Sequence, residues 1–312
     1  MDKKFFFILL LISIFFSLNV SISKEIKIVK KINNEIITNI DIYKEIKYLT
    51  LLNQELTKFQ EKELTKIALD SLEREKIKIL ELKKNKITDE KNNLNLLDNA
   101  ILSIYSNLNF SNTSEFENYL IENNYNLDEL KKKIMIEIQW NALIFNKFRN
   151  KINIDINKIK NEIKKNNINQ KITEYDLHEI VFQPNNDFDF EKLKDEIESS
   201  IEKYGIDITA TKYSLADSSK FGGYIGKVNE NNLSEVIKKN LKNIKSGEFT
   251  KPINIGGSFL ILYVKNKIEQ ELKINEEDAL KNAIAFEQKK QFENFSQIFF
   301  KKIKINTKIS DY

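Results

Sequence analysis

Cysteine is absent from this 312-residue sequence, and histidine occurs once, at His178. Without cysteine the chain can form no disulfide, thiolate metal site or cysteine nucleophile. A histidine-based zinc site or a serine–histidine–aspartate triad would depend on that one histidine. These absences argue against most hydrolases and metalloenzymes, and we expect no cofactor.

Arginine is scarce, occurring only as Arg74 and Arg149 among 50 basic residues. The basic residues are nearly balanced by 46 acidic ones, so the formal net charge is +4, and both signs are interspersed along the chain. Nucleic-acid grooves need clustered positive charge and favour arginine for contacting phosphates. The composition therefore argues against a nucleic-acid partner.

Glycine and proline are few and unevenly placed. All seven glycines lie between Gly205 and Gly257, and the prolines are Pro184 and Pro252. Helices tolerate the absence of these residues, whereas turn-rich structure requires them. The distribution predicts a helical block, then an α+β block, then a second helical block.

The predicted fold class is α+β, in three parts. A helical N-terminal domain is expected over residues 24–171 and an α+β domain over residues 172–268. Residues 269–312 are expected to form a helix and a strand that return to the N-terminal domain, because a lone amphipathic helix cannot bury its own apolar face. The α+β domain would then be an insertion in a helical core.

Residues 1–23 have the pattern of a secretory signal peptide. Two lysines precede an apolar run from Phe5 to Leu18, and Ser21-Ile22-Ser23 is a small-x-small site that predicts cleavage before Lys24. The run is shorter than the roughly 20 residues that a spanning helix needs. We therefore expect an exported protein; the alternative is that the segment is retained as a membrane anchor.

The helical block is predicted to open with a β-hairpin around an Asn33-Asn34 turn. Thr38 and Asp41 then fit the capping box at the start of a helix, and Ser114 is expected to cap a later one. The spacing of apolar residues predicts helices over residues 39–53, 60–84, 91–108, 114–121, 126–148 and 156–165.

The remaining blocks have a mixed pattern. Strands are predicted over residues 175–182 and 258–265, and helices over 190–203, 233–244 and 276–300. In the last helix the phenylalanines are interpreted mainly as a packing stripe, and Trp140 as a core residue. The alternating tail, residues 303–309, is predicted to be an edge strand.

Three motifs resemble a known family. Gly222-Gly223-Tyr224-Ile225-Gly226 is similar to the GG-x-L-G turn of parvulin-type (PpiC) prolyl isomerases, and Ser246-Gly247-Glu248-Phe249-Thr250-Lys251-Pro252-Ile253 to their G-E-x-S-x-P-hydrophobic segment. Glu35-Ile36-Ile37-Thr38-Asn39-Ile40-Asp41-Ile42 resembles the opening of SurA-type periplasmic chaperones. This resemblance implies a helical chaperone core, completed by a C-terminal helix, with one inserted parvulin-like domain.

The resemblance also implies site residues. Glu179 and Leu260 occupy the positions of the two family histidines, and Asp217 is the counterpart of an acidic loop residue. His178 is expected on the opposite face of its strand from Glu179, because side chains alternate, and at the solvent edge. We expect Asp217 to bond nearby backbone.

The proline-binding pocket implied by the resemblance consists of Ile225, Leu233, Ile237 and Phe259. Prolyl isomerisation needs no covalent step, so a pocket alone can contribute some activity. The loss of both histidines nevertheless predicts a degenerate site with weak or no activity.

The resemblance implies a periplasmic folding chaperone whose clients are unfolded outer-membrane β-barrel proteins, with the outer-membrane assembly machinery as a further partner. Two alternatives stay open. One is an active peptidyl-prolyl cis-trans isomerase in which Glu179 and the pocket suffice, and the other is a membrane-anchored folding factor.

N-terminal sequencing of the exported protein tests the signal peptide. We expect the first residue to be Lys24, because the small-x-small site directly precedes it. An intact N-terminus would instead mean that the apolar segment is retained as an anchor.

Overall fold

The computed structural model describes residues 25–87, 94–165, 171–184, 187–271 and 276–312. The described residues form helices and two small antiparallel sheets, which confirms the α+β class. The predicted signal peptide lies outside them. Among the described residues, no helix combines the length and apolar character needed to cross a membrane.

The first part of the chain, the helical domain, contains a hairpin and six helices within its described residues: β1 Ile28–Ile32, β2 Glu35–Thr38, α1 Asn39–Leu52, α2 Glu61–Lys84, α3 Leu94–Asn107, α4 Thr113–Glu122, α5 Leu127–Phe148 and α6 Ile156–Lys165. The middle domain follows: β3 Lys171–Phe182, α7 Asp187–Tyr204, α8 Ile206–Tyr213, β4 Tyr224–Asn229, α9 Glu235–Leu241, β5 Ile253–Asn254 and β6 Phe259–Glu271. The chain closes with α10 Glu276–Ile305 and β7 Ile309–Asp311.

Local signals set the start of the helical domain. Asn33 adopts the left-handed conformation in the hairpin turn (φ 51°), as asparagine tolerates. The predicted capping box is present: Thr38 Oγ1 accepts from the backbone N–H of Asp41, and the Asp41 carboxylate accepts from the N–H of Thr38 at 2.8 Å. The chain therefore turns from the hairpin directly into α1.

Two boundary predictions were wrong. Asn112, and not Ser114, caps α4, because its side-chain oxygen accepts from the N–H of Glu115 at 2.9 Å. The predicted strand over residues 303–309 is helical up to Ile305, since Ile303 packs against the helical core. Only Ile309–Asp311 forms a strand, and it pairs antiparallel with β1.

The middle domain is built on a four-stranded sheet in the order β4-β3-β6-β5, with β3 paired along its length with β6. One face of the sheet, the α9 face, buries Leu177, Val181 and Leu262 with α9. The other, the α7–α8 face, buries Ile180 and Ile261 with α7 and α8. Helix α8 was not predicted, since most of this short segment is buried and it lacks an amphipathic period.

The middle domain is docked on the helical domain through a buried ion cluster. Glu137 on α5 accepts from Lys220 of the middle domain at 2.9 Å and also pairs with Lys78 on α2. The three side chains are at most 21% exposed. Burial alone would raise the pKa of Glu137, but the two ammonium groups outweigh burial and hold that pKa well below its ordinary value.

Hydrogen bonds and a ring contact outside the ion cluster extend this docking. Asn53 Nδ2 donates to Thr211 Oγ1 at 3.1 Å, and Arg74 donates to the carbonyl of Ser214 at 3.0 Å. The rings of Phe59 and Tyr204 pack with their centroids 5.3 Å apart. Docking therefore combines apolar burial with specific polar pairs.

Replacing Glu137 with glutamine tests the ion cluster. Glu137→Gln leaves the buried ammonium group of Lys220 without its carboxylate and Lys78 with only the more distant Asp217, so we expect the free energy of unfolding to fall by about 3 kcal/mol. The matched control is Glu129→Gln on the same helix, where the pair with Lys44 is exposed and the change should stay within about 0.5 kcal/mol. Urea unfolding of both variants measures the difference, and equal losses would contradict a structural role for the cluster.

Candidate functional site

His178 and Glu179 lie on opposite faces of β3, as side-chain alternation predicts, with His178 on the α7–α8 face. The position expected for His178 at the solvent edge was wrong. The residue is 3% exposed, because β3 is an inner strand and Tyr224 and Tyr263 pack their rings against the imidazole. Its Nδ1 lies 2.9 Å from the carbonyl of Gly222.

The glycine pair of the predicted turn is required by its close approach to β3. Gly222 and Gly223 have φ values of 66° and 77°, in the left-handed region that favours glycine. A Cβ at Gly223 would lie 2.4 Å from the carbonyl oxygen of Glu179, and the N–H of Glu179 donates to the carbonyl of Gly223 at 2.7 Å. The turn therefore fixes the backbone on which Glu179 stands.

Glu179 faces away from His178 and is 7% exposed. Ser218 Oγ donates to its carboxylate at 2.9 Å. Burial raises the pKa of Glu179, Lys289 and the Ser218 hydrogen bond oppose this shift, and the charge of Asp217 adds to it. At this position, therefore, the strand presents a carboxyl group that is more easily protonated than an ordinary glutamate.

Glu179, Asp217 and Ile225 line one cavity of about 490 Å³. Helix α10 lines the other side of the cavity with Lys289 and Glu293. Lys289 Nζ lies 3.6 Å from Glu293 Oε1. Burial raises the pKa of Glu293 to about 8, and the charges of Glu179 and Asp217 act in the same direction, while Lys289 opposes them. The cavity thus brings three carboxyl groups and one ammonium group together.

The expected hydrogen bond between the Asp217 side chain and nearby backbone is not what the structure shows. Its side chain is 55% exposed and lies toward the helical domain, where Asn141 Nδ2 is 3.4 Å and Lys78 Nζ is 3.7 Å from the carboxylate. Its place at the domain boundary explains this orientation.

The predicted apolar pocket residues Leu233 and Ile237 share one buried cluster on the α9 face, and Ile225 packs against it. Leu260, at the position of a family histidine, belongs to the same cluster. The ring of Phe286 from α10 also packs against this cluster. Three of the four predicted pocket positions are therefore together, and a side chain of α10 packs against the cluster that they share.

Phe259 does not lie with these residues. Alternation along β6 puts Leu260 on the α9 face and Phe259 on the α7–α8 face. There its ring packs 4.4 Å from the ring of Phe190 and 5.7 Å from that of Phe182. Phe259 is a core residue of the middle domain and cannot contact a ligand in the same pocket as Leu233.

Three residues of this site were missed from the sequence: Phe286, Lys289 and Glu293, all on α10. The apolar pattern of that helix was attributed to packing on the N-terminal helices. A signal was present in a second stripe, since Ala283 and Phe286 recur at helical spacing and line the same cleft as Leu233.

Prolyl isomerisation is a reaction that such a pocket can in principle assist. The barrier of about 18–20 kcal/mol comes from amide resonance, and a dry apolar pocket that holds the proline ring can help to twist the bond. Among the described residues, no group of histidine, aspartate and glutamate side chains has the arrangement to hold a metal ion.

The raised pKa of Glu293 predicts a pH-dependent stability. The ordinary pKa is 4.5 and the folded value is about 8, so the folded protein holds an extra proton between these values. The stabilisation is complete at low pH and is lost as the pH rises through about 8. Glu293→Gln should weaken this decline in thermal melts between pH 5 and 8.5.

The control for this measurement is Glu287→Gln, on the same helix but outside the cavity. It should retain the pH dependence of the unsubstituted protein. A wild-type pH profile in Glu293→Gln would show that Glu293 does not titrate as its surroundings indicate.

The chain is similar to several solved protein structures. The chain is 18% identical to a SurA-like chaperone of Campylobacter jejuni, from the pair PEB4 and Cj1289, over 91% of this chain and 98% of that one (TM-score 0.36). It is 17% identical to the peptidylprolyl isomerase PrsA of Bacillus anthracis over 78% and 99% (TM-score 0.31). A PpiC-type isomerase domain is 25% identical over 31% of this chain and 93% of its own (TM-score 0.27).

These likenesses are too distant to carry an argument about function. No curated protein sequence matches the chain. The family model described as rotamase, the PPIC-type PPIase domain, matches residues 180–266. This range contains the glycine turn, α9 and most of the sheet. Residues 180–266, which form most of the middle domain, therefore match the PPIC-type PPIase domain of the rotamase family, and we call the middle domain the PPIC-type domain.

Proposed function

We propose that this protein is an exported folding chaperone that binds unfolded proteins, and that its PPIC-type domain has weak or no prolyl isomerase activity. The observation that carries the proposal is the pair Glu179 and Leu260. They stand on the same face of adjacent strands, at the two positions where the family resemblance implies histidines.

The chemistry at these positions supports low activity. Leu260 has no polar group, and Glu179 already accepts a hydrogen bond from Ser218, so neither replaces a hydrogen-bonded imidazole pair. The apolar cluster beside them is covered by Phe286. We therefore expect this ring to compete with a substrate proline for the apolar surface.

The helical domain offers a surface for binding unfolded chains. A cleft of about 1190 Å³ is lined by apolar side chains, among them Ile40, Ile46 and Leu127, with Tyr43 and Ile121 at 55% and 62% exposure. Exposed apolar surface of this kind is typical of sites that bind other proteins. Binding unfolded chains requires such a surface and no catalytic groups.

The signal-peptide pattern of residues 1–23 supports function outside the cytoplasm. The resemblance to SurA-type chaperones then suggests the periplasm, with unfolded outer-membrane β-barrel proteins as clients and the outer-membrane assembly machinery as a further partner. The active isomerase remains the second candidate, favoured by the preserved apolar cluster around Leu233.

A paired assay on protein beginning at Lys24 tests the proposal. It follows the cis-to-trans isomerisation of a short proline peptide, and the aggregation of an unfolded outer-membrane protein, at matched concentrations. We expect suppressed aggregation with no isomerisation above the uncatalysed rate. Clear isomerisation that disappears in Leu233→Asp would make the protein an enzyme.

The cleft is tested by Ile121→Asp, which places a charge in its apolar lining. We expect the suppression of aggregation to fall several-fold, because the cleft loses apolar contact with the client. The matched control is Leu102→Asp, which changes an equally apolar side chain, 50% exposed, outside the cleft. Equal effects in both variants would show that the cleft is not the binding surface.

A further inference from the structure

Helix α10 contacts α5 and α6 of the helical domain as well as the PPIC-type domain, and its first side packs on α5. Trp140 Nε1 donates to Ser296 Oγ at 2.8 Å, and the indole stacks on Phe299 at 5.8 Å between ring centroids. The rings of Phe148 and Phe295 stack 4.9 Å apart. This side is aromatic and closely packed, so α10 is part of the core of the helical domain.

The second side of α10 contacts the PPIC-type domain and is different in character. Phe286 is the one phenylalanine of α10 that packs on the apolar cluster of that domain, as far as the described residues show. The other contacts are polar: Asn294 donates to the carbonyl of Gly256 at 2.9 Å, and Ser258 Oγ donates to the Gln297 side chain at 2.5 Å.

We propose that α10 is an internal occupant of the ligand pocket of the PPIC-type domain, in which Phe286 takes the place of an apolar ring of a bound chain. The pocket becomes available when this domain separates from α10, while α10 stays on α5. The inference goes beyond the proposed function, because it applies whether the pocket binds its ligand or isomerises it.

The residues that form the contact between α10 and the PPIC-type domain support a contact that can open. Phe286 packs its ring on the apolar cluster, and further along α10 Lys289, Phe292, Glu293 and Gln297 line the neighbouring cavity with Glu179. Polar contacts between domains resemble those of transient protein interfaces. The carboxyl groups of Glu179 and Glu293 also line the same cavity, where their charges oppose each other once both are ionised.

The expected ligand is an extended chain segment with an aromatic or proline ring. The cluster around Leu233 and Ile237 is apolar and already accepts a phenyl ring. A ring from another chain would satisfy the same surface. A suitable probe is a blocked Ala-Phe-Pro-Phe peptide, with binding measured by titration calorimetry on protein that begins at Lys24.

Phe286→Asp tests the proposal, because an aspartate does not fit an apolar pocket and should free it. We expect the probe peptide to bind at least tenfold more tightly than to the unsubstituted protein. The matched control is Ala285→Asp, which adds the same charge one residue away on the exposed side and should leave the affinity unchanged. Equal affinity in Phe286→Asp and the unsubstituted protein would overturn the proposal.

One further variant and one spectroscopic measurement keep the result interpretable. Adding Leu233→Asp to Phe286→Asp should abolish peptide binding; retained binding would place the peptide elsewhere and overturn the proposal. The fluorescence of Trp140, the one tryptophan, reports whether α10 stays on α5. A chain that binds the peptide as expected but does not suppress aggregation would contradict the proposed chaperone function and leave this inference standing.

If the Trp140 fluorescence shows that Phe286→Asp is misfolded, a disulfide cross-link tests the proposal instead. Ser258→Cys with Gln297→Cys joins side chains already in contact, in a chain that has no other cysteine. Oxidation should abolish binding of the peptide and reduction should restore it. Equal binding in both states would overturn the proposal.

Discussion

The arrangement of this protein depends on one constraint: α10 is a helix of 30 residues that needs cover on more than one side. Its aromatic side is buried on α5 around Trp140. Its opposite side meets the PPIC-type domain through Phe286 and a seam of polar residues. The helix therefore belongs to both parts of the molecule, and the same residues that join the two domains cover the pocket.

This shared helix also determines the electrostatics of the site. A glutamate on an inner strand would be costly in a dry core, but Glu179 faces a cavity that holds Lys289, Glu293 and the Ser218 hydroxyl. The cavity exists because α10 lies across the sheet at this point. Residues of α10 thus help to accommodate the carboxyl group of Glu179, which stands at the position of a family histidine.

Much of this architecture could be predicted from local sequence signals. The capping box at Thr38 and the alternation that separates His178 from Glu179 are each determined by residues close together in the chain, and the glycine turn was found from its motif. The burial of His178 and the cover by Phe286 could not be predicted in this way. Both depend on which distant elements pack against β3 and α9, and a single sequence does not specify that.

The most direct test of this account is the contact between Phe286 and the apolar cluster in solution. In methyl-labelled protein beginning at Lys24, nuclear Overhauser effects should connect the ring protons of Phe286 with the methyl groups of Leu233 and Ile237. Their presence at neutral pH is the result that the account predicts. Their absence, with the contacts of Trp140 to α10 retained, would show an uncovered pocket and contradict the central role of α10.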